Sequence, residues 1–213
     1  ASINTFITMN YAGLKDDIMT LLSDGMVYVN TDTFQNDFVS ISSKDEALTA
    51  LIHLGYLGYN IDEKNAFVPN FEVKKAYQAA LCTSGWSKVA DSISRCDELL
   101  QATINGDSEK VAELIEKAHD AYTSILKYND ENSLSCVLSM AYFTAPAYYN
   151  VVREMPAGKG FADFVFIPRL NAGERPAMII ELKYNQSAYS AIRQIKEKRY
   201  HGVLKEYSGK VLL

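Results

Sequence analysis

The sequence predicts an α/β (α+β) chain whose helices come first and whose strands gather at the end. Three observations carry the prediction. Apolar residues recur three and four apart through the long middle of the chain, four short β-rich runs follow residue 148, and one amphipathic stretch stands before the last of those runs. With 213 residues, 48% hydrophobic and 22% charged, the balance is that of a globular protein with one large domain or two small ones.

Taken in order, "YAGLKDDIMTLLSDG" sets Leu14, Ile18 and Leu21 or Leu22 on one helical face with Gly25 as a stop, and "MVYV" follows as a short strand. "SSKDEALTALIHLGY" is a helix capped by Ser42 or Ser43, with acids in its first turn. "LGYNIDEKNAFVPN" is two apolar runs around a polar turn, a β-hairpin, and a helix from about Glu72 to Cys82 closes the segment. Residues 1–83 are thus expected to form a connector or a winged-helix-like module of helix and hairpin. With 5 Lys/Arg against 10 Asp/Glu, this module is a poor DNA reader.

Residues 84–213 are expected to be a helical hairpin followed by a core domain from about residue 130. "WSKVADSISRCDELLQATING" and "SEKVAELIEKAHDAYTSILKYN" are two long helices separated by Asn105-Gly106-Asp107. In the second, Val111, Leu114, Ile115, Ala118, Tyr122 and Ile125 make one apolar stripe. A third helix begins near Asp130 or Asn132 and should kink or end at Pro146. Then come the strands "NVVREMP", "FADFVFIP" and "AMIIELKY", the helix "SAYSAIRQIKEKRYHGVLKEY", and a terminal strand "KVLL". The order is αβββαβ.

Cys82, Cys96 and Cys136 are isolated and odd in number, which points away from a disulfide framework or metal knuckle and toward a reducing compartment. No apolar run approaches the roughly 20 residues of a bilayer span, and no signal peptide is legible, so the chain reads as cytoplasmic. It opens at Ala1 and stops within an expected strand, as a piece of a longer polypeptide would. The net charge is −5, yet residues 152–213 hold 11 Lys/Arg against 6 Asp/Glu. That basic last third could attract a polyanion despite the acidic whole.

Charges within the β-rich segment carry the chemistry. On a strand, Ile179, Glu181 and Lys183 share one face. A hairpin register that sets Ile167 opposite Ala177 sets Asp163 opposite Glu181, with Cβ atoms about 5 Å apart. Two carboxylates that close repel, and partial burial raises the cost. A hard cation such as Mg²⁺ or Mn²⁺ would compensate them, using one or two carboxylates and leaving positions for water and phosphate. Lys183 could then position an attacking water or stabilise charge on phosphate. The competing reading is a salt bridge from Lys183 to Glu181 or Asp163 at the end of the sheet.

The αβββαβ order, with "FAD", 17 intervening residues and "ELK" after an acid-bearing helix, resembles the PD-(D/E)XK nuclease superfamily. "YNDENSLSCVLSMAYF", "REMPAGKGFADFVFIP", "IIELKYNQSAYSAIRQIKEKRY" and "LIHLGYLGY" resemble the C-terminal half of bacterial proteins that join an AAA-type ATPase-like domain to such a nuclease. The resemblance implies a restriction-endonuclease-like core and a Mg²⁺- or Mn²⁺-dependent nuclease acting on DNA, with an ATPase-like domain elsewhere in the full-length chain. It implies that Asp163, Glu181 and Lys183 are the motif residues and that Glu131 is the acid of the first core helix. Asp130 adjoins Glu131, and a helix-capping or first-turn role explains either. The motif proline is replaced by Ala162. Gln194, Lys198 and Tyr200 fall in a "QIKEKRY" stretch resembling an accessory motif, with Gln194 orienting water or phosphate and Lys198 meeting the nucleic-acid backbone; a solvated helix face competes with this reading.

"AGKG" lacks the pattern of a Walker A loop and reads as a turn whose Lys159 approaches DNA. His53, His119 and His201 show no zinc spacing. A catalytically silent nuclease-like fold that serves as an interaction or regulatory module for the ATPase is the alternative function.

Overall fold

A computed structural model describes the chain except residues 1, 10, 36, 37, 84, 85, 124–130, 158, 159, 171, 184–186, 199–203, 205, 206 and 208; of residues 83, 123, 131–133 and 157 it describes the backbone alone. The chain divides into two compact units, residues 1–94 with 117–127, and residues 95–116 with 128–213.

In the first unit, α1 (Ile3–Ile7) and α2 (Leu14–Leu22) precede β1 (Val27–Tyr28), followed by α3 (Lys44–His53), β2 (Gly58–Asn60), β3 (Asn65–Phe67), α4 (Phe71–Thr83) and α5 (Ser87–Ser94). Ser43 is the cap of α3: its Oγ accepts from the Glu46 N–H at 3.2 Å, while Glu46 Oε2 accepts from the Ser42 N–H at 2.7 Å. Two otherwise orphaned donors are satisfied by this exchange. The three strands form an antiparallel sheet in the order β1-β3-β2. Gly58 lies under the Phe67 ring, where a Cβ would come within 2.6 Å of the ring carbons. Phe6, Ile7, Ile18, Leu22, Leu48, Leu51, Tyr77 and Leu81 are buried in this unit.

The first of the two expected long helices is broken. Its apolar stripe ends one helix at Ser94 and begins the next, α6 (Cys96–Asn105), after Arg95 at φ −98° and ψ 1°. Val89 and Ile93 lie on one side of the break and Cys96, Leu99 and Leu100 on the other, so the periodicity runs unbroken while the two halves are buried in different units. Gly106, at φ 74°, ends α6 in the left-handed conformation that glycine adopts without steric cost. Asp107 Oδ1 then accepts from the Lys110 N–H at 3.0 Å and starts α7 (Ser108–Thr123).

The second unit continues with α8 (Glu131–Ala141), β4 (Tyr149–Ala157), β5 (Gly160–Pro168), β6 (Ala177–Ile180), α9 (Ala188–Glu197) and β7 (Val211–Leu212). α8 stops before Pro146, which falls in the 3-10 turn Ala145–Ala147. The sheet has the order β4-β5-β6-β7; β4, β5 and β6 are successively antiparallel, and β7 returns parallel to β6 after α9. A parallel return needs a crossover, and α9 supplies it. This is the αβββαβ order, a mixed α/β architecture consistent with a restriction-endonuclease-like fold.

Each face of this sheet has its own core. On one face Phe164 and Phe166 stack, and Phe166 meets Tyr142 and Tyr149 edge-on, with centroids at 5.3 and 5.9 Å. On the other, Val165, Ala177 and Ile179 pack with Ile195 of α9 and with Leu204. Among the described residues no helix is long and apolar enough to cross a membrane.

Candidate active site

The candidate site forms where β5 and β6 part. Their ladder pairs Phe166 with Met178, Val165 with Ile179, and Phe164 with Ile180. Continued by one residue, that register sets Asp163 against Glu181, as read from the sequence. The strand itself is shorter than "AMIIELKY" and ends at Ile180, because the next exchange is made by a side chain: Asp163 Oδ2 accepts from the Leu182 N–H at 2.6 Å. A carboxylate bonded by a backbone N–H is a charge-assisted acceptor, which ties Asp163 to the chain leaving β6.

Glu181 follows Ile179 by two residues and so projects toward the α9 side. Its side chain is only 3% exposed and that of Lys183 19%. Lys183 Nζ donates to Glu181 Oε1 at 2.8 Å, and Gln194 Nε2 donates to the same oxygen. The ion pair foreseen as the competing role of Lys183 is therefore formed. It satisfies only one oxygen: Glu181 Oε2 is buried and has no hydrogen-bond partner among the described residues. Burial holds the Glu181 carboxyl above the usual carboxylate range, with the nearby charge of Asp163 adding to the rise. The hydrogen bond from Lys183 and the charges of Lys183 and Lys198 oppose the shift without cancelling it.

α9 brings Gln194 to this carboxylate. Ser187 caps the helix, its Oγ accepting from the Ser190 N–H at 3.3 Å. Ala191 and Ile195 are the buried residues of α9, while Ile192 is exposed. Gln194 precedes Ile195 at the margin of the buried stripe and reaches Glu181. Lys198 is the C-cap residue of α9, an end that favours a cation.

Of the sequence-derived site residues, Glu181, Lys183 and Gln194 are joined directly, Asp163 is held beside them through Leu182, and Lys198 acts through its field. Glu131 is the first residue of α8, but its side chain, like the whole of Asp130, Lys159, Tyr200 and His201, lies outside the described residues. Sequence reasoning did not single out the Leu182 N–H, since a backbone donor leaves no mark in residue identity.

Whether these residues suit a divalent cation can be judged from their donor chemistry. A buried carboxylate oxygen with no donor among the described residues, next to a second carboxylate, is a hard anionic site of the kind that suits Mg²⁺ or Mn²⁺. Among the described residues no three His, Cys, Asp or Glu side chains converge to enclose an ion. One or two carboxylates suffice for such an ion.

Residues 129–213 match the model of the PD-(D/E)XK nuclease superfamily. No curated protein and no solved structure gives a significant match to the chain. The matched PD-(D/E)XK region contains α8, the four-stranded sheet and α9, and with them every site residue named above. Its fold is nuclease-like, and members of this superfamily generally use divalent metals.

Proposed function

We propose that the PD-(D/E)XK region hydrolyses phosphodiester bonds in DNA with the help of Mg²⁺ or Mn²⁺. The observation that carries the reading is Glu181: a buried carboxylate beside Asp163, with Oε1 held by Lys183 and Gln194 and Oε2 without a donor among the described residues. Glu131, Asp163 and Glu181 would hold the ion, which lowers the pKa of a bound water and stabilises charge on a phosphoryl oxygen. Lys183, anchored on Glu181, would position the attacking water or stabilise charge on the phosphate. Gln194 keeps Oε1 engaged so that Oε2 is left for the ion. Lys198, together with Lys159 and Tyr200, contacts the nucleic-acid backbone, in keeping with the basic balance of residues 152–213. The setting is a cytoplasmic, bacterial protein in which an ATPase-like domain accompanies the nuclease.

The test is cleavage of linear and circular single- and double-stranded DNA in EDTA, Mg²⁺ and Mn²⁺ by the wild type and Asp163→Ala. Metal-dependent cleavage reduced by a factor of about 10² or more in the variant is expected. Absence of cleavage by the wild type, or equal cleavage by the variant, would overturn the reading and favour a silent nuclease-like interaction module.

A further inference from the structure

The β4–β5 pair changes face at the level of the active site. Arg153 pairs with Phe164, and both serve the aromatic face: the guanidinium lies 5.6 Å from the Phe164 ring centroid and donates to Ser135 Oγ of α8 at 2.7 Å. Regular alternation would return Met155 and Ala162, two residues further along their strands, to that same face. Instead Ala162 belongs to the opposite core with Val165, Ala177 and Ile179, and Met155 packs against it. The swap falls between two intact rungs. Arg153 pairs with Phe164 and Met155 with Ala162, while Glu154 and Asp163 between them are left out of the ladder. Glu154 has φ 48°, against about −140° for an antiparallel strand. A glutamate gains nothing locally from the left-handed region, and such conformations persist where surrounding structure holds them.

We propose that Glu154 is a positioning residue of the active site: its left-handed backbone turns the β4–β5 pair over, so that Asp163 leaves the alternation and its carboxylate reaches the Leu182 N–H at the end of β6. Without the turn, Asp163 would stay in register as an ordinary strand residue, its carboxylate normal to the sheet rather than directed along it toward β6. Because the Glu154 side chain is exposed, the role lies in its backbone. The consequence for catalysis rests on the nuclease reading above; the geometric role does not.

The test separates backbone from side chain with Glu154→Gly, which adopts positive φ freely, and Glu154→Val, whose β-branch resists it. Neither change opens a cavity in a core. Hydrogen exchange at the Leu182 amide is measured in the metal-free full chain, and Mn²⁺ affinity by calorimetry, with Asp163→Ala, which removes the acceptor, as reference. Glu154→Gly is expected to keep Leu182 protection and Mn²⁺ affinity within about threefold, whereas Glu154→Val loses about tenfold or more in each, toward the reference. The proposal is overturned if Val behaves as the wild type, or if Gly loses as much as Asp163→Ala. If the Leu182 amide responds as expected but the wild type binds no Mn²⁺, the positioning role stands and the metal-dependent nuclease reading falls.

Discussion

Two lysine–carboxylate pairs of equal length, one in each unit, have opposite environments. Lys74 Nζ lies 2.8 Å from Asp24 Oδ1 and Lys183 Nζ lies 2.8 Å from Glu181 Oε1. In the first the lysine is the buried member, at 4% exposure against 51% for the aspartate. In the second the acid is buried, at 3%. The half-exposed Asp24 is open to solvent and answers a buried ammonium, which is a structural task. Glu181 is shielded from water, and its second oxygen has no donor among the described residues. The lesson is that an ion pair's length says little about its use; which partner is buried, and what acceptor capacity remains, says more.

The largest expected effect tests that contrast at the chemistry. Glu181→Gln keeps the shape and removes the charge, and it should lower metal-dependent DNA cleavage by a factor of about 10² or more, whereas Asp24→Asn should leave cleavage unchanged. Equal rates for Glu181→Gln and wild type in single-turnover assays would break the comparison. Next in size is stability. Asp24→Ala deprives the buried Lys74 of its carboxylate and should cost about 1–3 kcal/mol in urea unfolding, the range for a hydrogen bond to a charged group. An unchanged midpoint would show that Lys74 relies on other partners.

The smallest effect is on pH dependence in EDTA. Because the folded-state pKa of Glu181 is raised, the native state keeps its proton to higher pH than the unfolded chain does. Its contribution to stability is therefore greatest below the ordinary glutamate range and declines as pH rises through the raised value. Glu181→Gln should flatten that decline in urea midpoints measured across the window. A decline of the same slope in the variant would assign it to other groups.

Much of this was readable from residues. Alternating apolar runs and the Gly106 stop mark the elements, since period and glycine chemistry are local properties. The β5–β6 register was assumed from the residues: keeping the apolar face inward excludes a one-residue slip but not a two-residue one, and the fold gives the assumed pairing. The break at Arg95 was not readable, as Val89, Ile93, Cys96 and Leu100 keep helical spacing across it. Neither was the face change at Glu154 and Asp163, for no rule of strand alternation anticipates a glutamate at φ 48°.

By itself, then, the sequence determined the αβββαβ order, the presence of Asp163, Glu181 and Lys183 at one end of a hairpin, and the resemblance to PD-(D/E)XK nucleases, all of which depend on residue type and spacing. Tertiary structure alone decided that Asp163 bonds the Leu182 N–H, that Gln194 shares an oxygen with Lys183, and that Glu181 Oε2 has no donor among the described residues. Those facts depend on which groups packing excludes from water and on where a backbone bends, and both are set by contacts between residues distant in the chain.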